Sequence, residues 1–264
     1  MRSLQGGVAF FDSGIGGLTV LAECKKRVAA PFYYYGDNAY APYGNRSLSE
    51  IRDRVFYAFS LFREMQVQAA VVACNTATAV CIDELRQRFS FPVIGTEPAV
   101  RPAAKRGGEI FVLTTRATYA SARFRALCDK LSVEYPRASL RAIACEHLAG
   151  DIERNLLTDG YDCTPLLPKG DPAAVVLGCT HYVYMRSQIQ TYYGCPVFDG
   201  NDGVARRLQR VFDRFFAPDR DSQPPLTPDL APQKNAPVFF LGSAETYNKR
   251  VYEQTFVKNG AKMG

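Results

Sequence analysis

Two cysteines lie at matching points of two similar stretches of the chain. Both stretches contain the run Ala-Ala-Val-Val, which leads to Cys74 in one and to Cys179 in the other. Short continuous apolar runs are typical of buried parallel strands, and binding sites in α/β folds lie just beyond the carboxyl ends of such strands. Hydrogen-bonding side chains, which inert packing does not require, follow at once: Asn75 and Thr76, and Thr180 and His181. We therefore predict that both thiols face one site.

Thiols at these two positions can serve in acid–base chemistry. The ordinary thiol pKa of about 8.5 is close enough to neutrality that modest tuning gives either the thiolate or the neutral thiol. One cysteine can then act as a base while the other acts as an acid. Free cysteine is often buried and inert, so we predict packing roles for the others: Cys24, Cys81, Cys128, Cys145, Cys163 and Cys195.

Other uses of the cysteines fit the sequence less well. A cysteine hydrolase or amidotransferase would pair one thiol with a histidine base. Only His147 and His181 are present, and His181 is too close to Cys179 in sequence for most such arrangements. No closely spaced cysteine pair of the kind used by structural zinc sites occurs, so we predict no metal. A non-catalytic binding module stays an alternative if both thiols are dispensable.

Composition and charge restrict the partners and the compartment. The 264 residues are 47% hydrophobic and 22% charged, as is ordinary for a globular protein, and no apolar run is long enough for a membrane span. The N-terminus shows no secretory signal, and the cysteines are too dispersed for a disulfide scaffold, so we predict a cytoplasmic protein with reduced thiols. The net charge of +6 fits a small anionic substrate. It fits nucleic acid equally well, but no basic block is interleaved with aromatic residues as in a nucleic-acid-binding stripe.

Short apolar runs alternate with helical stretches, which predicts an α/β fold with mostly parallel sheets. The first strand, Val8–Phe11, leads into a glycine-rich turn that begins a helix. Backbone amides at such a turn favour anions, and Asp12 and Ser13 stand at a strand end, as the cysteines do. Further on, a capping box from Ser47 to Glu50 predicts the start of an amphipathic helix.

The same alternation predicts how the chain divides into domains. The segment 95–98 reads as a domain crossing, after which the β/α alternation restarts with a strand and one helix near 117–131. We predict one α/β domain over 1–97 plus 205–264 and a second over 98–204, related as a pseudo-repeat. A proline-rich linker, extended or disordered, is predicted over 217–237. The strand Val238–Leu241 that follows it is expected to pack on the first domain.

Five motifs occur in order between residue 8 and about residue 200. They are FDSGIGG from Phe11, YGD from Tyr35, PYG from Pro42, CNTA from Cys74 and GCTH from Gly178. Together they resemble the glutamate racemase family, within the wider cofactor-independent aspartate/glutamate racemases. The resemblance implies two doubly wound, pseudo-symmetric domains, an active site in the cleft between them, and no cofactor.

The resemblance also implies roles for individual residues. Cys74 and Cys179 would be the opposed acid/base pair that moves the α-proton, while Asp12 assists Cys74 and His181 assists Cys179. Tyr43 and Gly44 would hold the side-chain carboxylate through a hydroxyl and a backbone amide. The substrate-binding residues as a set would be Asp12, Ser13, Pro42, Tyr43, Gly44, Asn75, Thr76, Thr118, Glu153, Thr180 and His181.

The implied reaction is the interconversion of L- and D-glutamate, with the D form supplying bacterial peptidoglycan precursor synthesis. Aspartate is the alternative substrate, because one methylene is worth only about 1–3 kcal/mol of discrimination. The chain departs from the family at Thr114, where relatives usually carry Gly or Ala before a threonine. It departs again in the segment 145–153, where only Glu153 falls on the family's glutamate. Homodimerisation is left open.

Overall fold

Two parallel β-sheets with helices on both sides make up the structure, a computed structural model that describes residues 6–215 and 236–258. The described strands are β1 (Val8–Asp12), β2 (Phe32–Gly36), β3 (Ala69–Val72), β4 (Val93–Gly95), β5 (Gly108–Thr114), β6 (Ala138–Ala144), β7 (Ala174–Gly178), β8 (Val197–Phe198) and β9 (Val238–Gly242). All pairs of neighbouring strands run parallel, which confirms the predicted fold class.

The first sheet has the strand order β4-β3-β1-β2-β9 and the second has the order β6-β5-β7-β8. In the first sheet Phe11 pairs with both Tyr35 and Val72, which aligns the carboxyl ends of β1, β2 and β3. In the second, Thr114 of β5 pairs with Ala144 and Gly178, so those strands also end together. Residues that follow these strands are therefore brought to one edge of each sheet.

Strands β1 and β3 are buried along their whole length because helices cover both faces of the sheet. Successive side chains point to opposite faces, so Phe10 belongs to one apolar cluster and Phe11 to the other. Continuous burial explains why these strands appear in the sequence as unbroken apolar runs.

The helices connect successive strands. The described α-helices are α1 (Gly17–Lys25), α2 (Leu48–Glu64), α3 (Asn75–Arg88), α4 (Val100–Ala104), α5 (Arg116–Ala120), α6 (Ala122–Glu134), α7 (Leu148–Asn155), α8 (Arg186–Tyr193), α9 (Asn201–Phe215) and α10 (Glu245–Tyr252). Short 3₁₀ segments cover Asn38–Tyr40, Tyr43–Asn45, Thr164–Leu166 and Thr180–Met185, and a π-helical turn covers Glu253–Lys258. No helix in the described ranges is both long and apolar enough to cross a membrane.

Two helix predictions can be compared with the structure. The capping box is confirmed: the Ser47 hydroxyl accepts from the Glu50 amide, and the Glu50 carboxylate accepts from the Ser47 amide. The single helix predicted near 117–131 is wrong, because Ser121 adopts an extended conformation between α5 and α6. The Ser121 hydroxyl caps α6 by accepting from the amide of Phe124 at 3.2 Å.

The chain returns to the first sheet at its end. Strand β9 pairs with β2, with Phe32 opposite Val238, as expected for the returning segment. The predicted linker 217–237 lies outside the described residues except for its last two. Sheet membership agrees with a division near residues 97 and 205, but the exact domain boundaries stay a prediction.

Candidate active site

Chemically active side chains lie at the carboxyl ends of strands from both sheets. In the first sheet Asp12 is the last residue of β1, and Cys74 lies two residues beyond β3. In the second sheet Cys179 follows β7 directly, and Thr115 follows β5. Contacts between these groups show that the two edges face each other.

The turn after β1 forms one side of the site. The Asp12 carboxylate is fully buried and accepts from the Gly14 amide at 2.9 Å. Burial raises the pKa of Asp12 from 3.8 to about 6, although the positive charge of His181 opposes this rise. Gly17 is required here, because a Cβ atom on it would lie 2.7 Å from the Cβ atom of Asp12.

Cys74 caps helix α3 with its sulfur. Its Sγ accepts from the backbone amide of Ala77 at 3.4 Å and donates to the Ser13 hydroxyl at 3.8 Å. Burial, followed by the negative charge of Asp12, raises the pKa of the Cys74 thiol to about 12. The thiol form therefore predominates at neutral pH.

Cys179 has a different partner. Its Sγ lies 3.7 Å from Nδ1 of His181, and Nε2 of His181 lies 2.5 Å from Oε2 of Glu153. Burial lowers the pKa of His181, but hydrogen bonds to Cys179 and Glu153 outweigh it and hold this pKa well above its usual range. The imidazole is therefore charged and donates from both ring nitrogens.

Glu153 is held as a carboxylate by three donors. Burial raises its pKa, but hydrogen bonds from His181, from the Ile15 amide at 3.0 Å and from Asn38 Nδ2 at 2.7 Å keep the pKa below its usual value. Two of these donors belong to the first-sheet side of the cleft, since Ile15 precedes α1 and Asn38 follows β2. Glu153 thus links helix α7 to the turn after β1.

The two sheet edges approach closely at this turn. The Thr180 hydroxyl donates to Oδ2 of Asp12 at 3.2 Å, which joins the Cys179 side directly to the Cys74 side. A Cβ atom on Gly16 would lie 2.3 Å from Oγ1 of Thr180, and one on Gly14 would lie 2.3 Å from the Glu153 carboxylate. Side chains at either glycine would force the edges apart.

Tyr43 and Gly44 lie in the short 3₁₀ segment after β2, and a network that was not predicted holds them there. The Tyr43 hydroxyl donates to Oδ2 of Asp37 at 2.6 Å, and the guanidinium of Arg54 binds both oxygens of Asp37 at 2.9 and 2.5 Å. The single hydroxyl proton of Tyr43 is therefore engaged, so the expected donation from this hydroxyl to a substrate carboxylate does not fit the structure. Backbone amides are left for that role.

Asp37 and Arg54 are functional candidates that sequence reasoning missed. The YGD motif contains Asp37 but indicates no role for it, and the position of Arg54 within α2 gives no indication of its partner. Arg54 also stacks on the ring of Tyr40, with its guanidinium carbon 3.9 Å from the ring centroid. Only the folded chain brings these residues together.

Threonine hydroxyls form a buried cluster between the sheets. Thr76 Oγ1 lies 2.8 Å from Thr115 Oγ1 and 3.2 Å from Thr118 Oγ1, and the Thr115 hydroxyl donates to Thr118 at 3.1 Å. Beside them, Asn75 donates to the backbone carbonyl of Thr96 at 3.3 Å. The predicted residues Thr76 and Thr118 are thus in direct contact, with Thr115 as an unpredicted third member.

The remaining predicted residues surround this centre less closely. Pro42 adjoins helix α7, since a Cβ atom on Gly150 would lie 3.4 Å from its ring. His147, the second histidine of the chain, is exposed at the start of α7 and takes no part in this centre. Across residues 6–215 and 236–258, no group of three or more His, Cys, Asp or Glu side chains could hold a metal ion.

Comparison with known proteins identifies the family. The model of the family described as Asp/Glu/Hydantoin racemase matches residues 16–208. The chain belongs to this family. It is therefore an isomerase, which confirms the enzyme class predicted from the five motifs.

Individual members of the Asp/Glu/Hydantoin racemase family resemble the chain over most of its length. The glutamate racemase of Clostridium acetobutylicum is 36% identical over 220 residues, which cover 79% of this chain and 84% of that protein. The glutamate racemase of Clostridium kluyveri is 36% identical over 222 residues, with the same coverage.

Solved structures of racemases share the two-sheet fold. Escherichia coli glutamate racemase, in complex with L-glutamate and the activator UDP-MurNAc-Ala, superposes with a TM-score of 0.74 at 26% identity, covering 94% of this chain and 95% of that one. Glutamate racemase from Aquifex pyrophilus gives a TM-score of 0.64 at 27% identity, covering 93% and 94%. The predicted roles of the site residues in this racemase stay predictions.

Proposed function

We propose that the protein is a glutamate racemase in which Cys74 and Cys179 act as opposed acid and base, without a cofactor. The observation that carries this proposal is that each thiol lies at the carboxyl end of a different sheet beside its own proton-transfer partner. Asp12 is the partner on the Cys74 side, and His181 lies 3.7 Å from Cys179. Thr180 joins the two sides through its hydrogen bond to Asp12.

The reaction requires one proton to leave and another to arrive. One cysteine, as thiolate, takes the α-proton of the bound amino acid and becomes a thiol, which leaves a planar carbanion. The second cysteine, as thiol, gives its proton to the opposite face and becomes the thiolate. Atoms and charge balance, and the reverse reaction uses the same groups with their roles exchanged.

Asp12 and His181 prepare the thiols for these roles. The pKa of Cys74 is raised to about 12 in the unliganded protein, so a neighbouring base must receive its proton when it serves as thiolate. Asp12 is the acid–base group beside Cys74, and burial raises its pKa, which makes it a stronger base than an ordinary carboxylate and the candidate to share this proton. Charged His181 can return a proton to Cys179 from Nδ1, while Glu153 holds the ring through Nε2.

The carbanion is the most difficult species to form, because an α-carbon is a much weaker acid than a thiol. The site excludes water, since Cys74 and Cys179 are only 5% and 6% exposed, and fixed dipoles act strongly in such surroundings. Backbone amides and hydroxyls near Ser13, Asn75 and Thr76 can stabilise the negative charge of the substrate carboxylate by hydrogen bonds. The substrate must keep its protonated ammonium, because no aldehyde cofactor is proposed to stabilise the carbanion.

Glutamate is the proposed substrate for two reasons. The relatives that match over most of the chain are named glutamate racemases, and the Escherichia coli neighbour is bound to L-glutamate. In addition, the Tyr43–Gly44 backbone offers a second anion-binding position apart from the threonine cluster. Aspartate, one methylene shorter, is the second candidate because it carries the same two carboxylates.

The biological role follows from the substrate. D-Glutamate would supply peptidoglycan precursor synthesis, and this step is expected in the cytoplasm, where wall precursors begin. A small anionic amino acid is the only partner that this role needs. A homodimer stays a prediction of the sequence.

The deciding experiment compares L-glutamate and L-aspartate by circular dichroism with purified protein. We expect racemisation of glutamate with the higher kcat/KM, and no change on adding a chelator. A higher kcat/KM for aspartate would assign the second substrate and keep the chemistry. Restoration of activity by a coenzyme after dialysis would contradict the cofactor-free reaction, and amide hydrolysis without racemisation would return the cysteine-hydrolase alternative.

A further inference from the structure

Thr115 connects three parts of the site. It is the first residue after β5, is 5% exposed, and caps helix α5 by accepting from the Thr118 amide at 3.3 Å. Its hydroxyl and its carbon atoms face different neighbours on the first-sheet side. The hydroxyl lies against Thr76 at the start of α3, and the carbon atoms lie against Gly44.

The hydroxyl of Thr115 controls the protons of its two neighbours. Each threonine has one hydroxyl proton, and Thr115 donates its proton to Thr118. Thr115 then contributes only lone pairs to Thr76. Thr118 is satisfied as an acceptor by Thr115, so its own hydroxyl proton can point at a carboxylate that enters the cluster, while Thr76 uses its proton on Thr115. The Thr115 hydroxyl therefore leaves Thr118 oriented as a donor to the carboxylate and holds the Thr76 hydroxyl beside it.

The carbon side of Thr115 is in contact with the second anion-binding position. A Cβ atom on Gly44 would lie 2.9 Å from Cβ of Thr115 and 3.3 Å from its methyl group Cγ2. The Gly44 backbone therefore rests directly on this side chain. On its other side the Tyr43 hydroxyl is fixed to Asp37, which is in turn held by Arg54. The Tyr43–Gly44 segment is held between two firm supports.

We propose that Thr115 is a positioning residue that sets the spacing between the two carboxylate-binding positions and so selects the length of the substrate. The inference rests on the proposed function, in which Thr76 helps to hold one carboxylate and the Tyr43–Gly44 backbone holds the other, and it adds Thr118, a predicted substrate-binding residue in contact with Thr76. One side chain of fixed shape touches both positions. Its hydroxyl orients the threonine hydroxyls at one position, and its methyl group supports the Gly44 backbone at the other.

Two substitutions separate these contributions. Thr115→Val keeps a methyl group against Gly44 and removes the hydroxyl. We expect KM to rise roughly threefold to tenfold for glutamate and aspartate alike, with a smaller change in kcat, since that is the size of a lost hydrogen bond between neutral groups. The ratio of kcat/KM between the two amino acids should stay within about twofold of the wild-type ratio.

Thr115→Ser keeps the hydroxyl and removes the methyl group. The Gly44 backbone then gains room to move towards the threonine cluster, which shortens the span between the two positions. We expect the preference for glutamate over aspartate to fall about threefold or more, within the range that one methylene can contribute. The KM for glutamate should change less than in Thr115→Val.

Thr114→Val is the matched control. Thr114 is the adjacent residue, is fully buried and directs its hydroxyl to the Ile143 carbonyl at 3.4 Å, away from the cluster. We expect wild-type KM and substrate preference from this variant. Circular dichroism spectra and melting curves of all variants verify that each protein is folded.

The measurements are steady-state kinetics with both amino acids and calorimetric binding of L-glutamate to each variant. The proposal is overturned if Thr115→Ser leaves the substrate preference unchanged, or if both variants lower kcat alone at constant KM. Should Thr115→Val fail to fold, Thr115→Ser still decides through the preference ratio. A wild-type protein that racemises neither amino acid contradicts the proposed function itself, whereas an active wild type with unresponsive variants contradicts only the role of Thr115.

Discussion

The two halves of the candidate active site place one thiol each in opposite electrostatic surroundings. Cys74 lies beside Asp12, a buried carboxyl whose pKa is raised to about 6 by burial. Cys179 lies beside His181, whose charge is held by the carboxylate of Glu153. The first half contains a carboxylate whose charged form is destabilised by burial. The second contains a buried ion pair with several hydrogen bonds.

This difference shows that pseudo-symmetry of the chain does not extend to the charges. Both cysteines follow an Ala-Ala-Val-Val run, yet the first caps a helix through its sulfur and the second precedes a 3₁₀ segment. The proposed two-base reaction exchanges the roles of the two cysteines between its directions, yet Cys74 lies beside a buried carboxyl and Cys179 beside a charged imidazole. The two sides of the proposed reaction therefore start from unequal surroundings.

The largest expected effect comes from replacing either thiol. Cys74→Ser and Cys179→Ser should each lower the racemisation rate by roughly 10³-fold or more, because a hydroxyl is a far weaker acid than a thiol and an acid–base group contributes about 10²–10⁴-fold. Each variant should still exchange the α-proton of one enantiomer with D₂O, and the two variants should act on opposite enantiomers. Proton NMR of L- and D-glutamate in D₂O measures this.

Cys145→Ser is the control for both cysteine variants. Cys145 is also a buried thiol at the carboxyl end of a strand, and its pKa is raised to about 12 by burial. It should retain nearly all activity. Wild-type rates in either Cys74→Ser or Cys179→Ser would favour a single-thiol enzyme instead.

Glu153→Gln tests the ion-pair half. The substitution leaves the buried imidazole without its counter-charge, and breaking a buried ion pair costs about 3–5 kcal/mol of unfolding free energy. The folded pKa of Glu153 is depressed, so its stabilising contribution is present above its unfolded pKa near 4.5 and is lost as the pH falls through the folded value. The stability gap between variant and wild type should therefore be large at pH 7 and shrink in acid.

Urea denaturation at a series of pH values measures this gap. Glu84→Gln serves as the control, because Glu84 pairs with Arg52 at the protein surface. Surface pairs contribute about 0–1 kcal/mol. Equal losses in the two variants would show that the Glu153–His181 pair adds no more than a surface pair.

Asp12→Asn tests the Cys74 side of the site. Its effect on the free energy of unfolding should have the opposite sign to that of Glu153→Gln. The folded pKa of Asp12 is raised from 3.8 to about 6, so the folded state is most favoured when this group is protonated and loses stability as the pH rises through that window. A neutral amide avoids the loss, which corresponds to at most about 3 kcal/mol. We expect Asp12→Asn to be more stable than wild type at pH 8 and equal to it below the unfolded pKa of 3.8.

The same substitution should reduce racemisation, since the base partner of Cys74 is removed. In the wild type, kcat/KM should fall as the pH drops through about 6, where Asp12 becomes protonated. Asp53→Asn, on the exposed side of α2, is the control and should change neither property. A less stable Asp12→Asn at pH 8 would mean that the Asp12 carboxylate is stabilised by its hydrogen bonds rather than strained by burial.

The sequence by itself determined the fold class and the family, and it named the candidate acid–base groups. Unbroken apolar runs such as that before Cys74 are a local property, because a strand covered by helices on both faces must be apolar throughout. The capping box at Ser47 is local as well, since its partners are three residues apart. Motifs such as GCTH from Gly178 likewise placed the chain in its family without knowledge of the folded structure.

Only the tertiary structure decided how these groups work together. The contacts of Glu153 with Ile15 and of Thr180 with Asp12 join residues 138 and 168 positions apart, and no periodicity or spacing in the sequence encodes such pairs. The pKa of Asp12 is raised because the folded chain removes it from water, and burial is a property of the assembled core rather than of a residue type. Thr115 illustrates the same limit, because its two faces acquire different neighbours only when the two sheets meet.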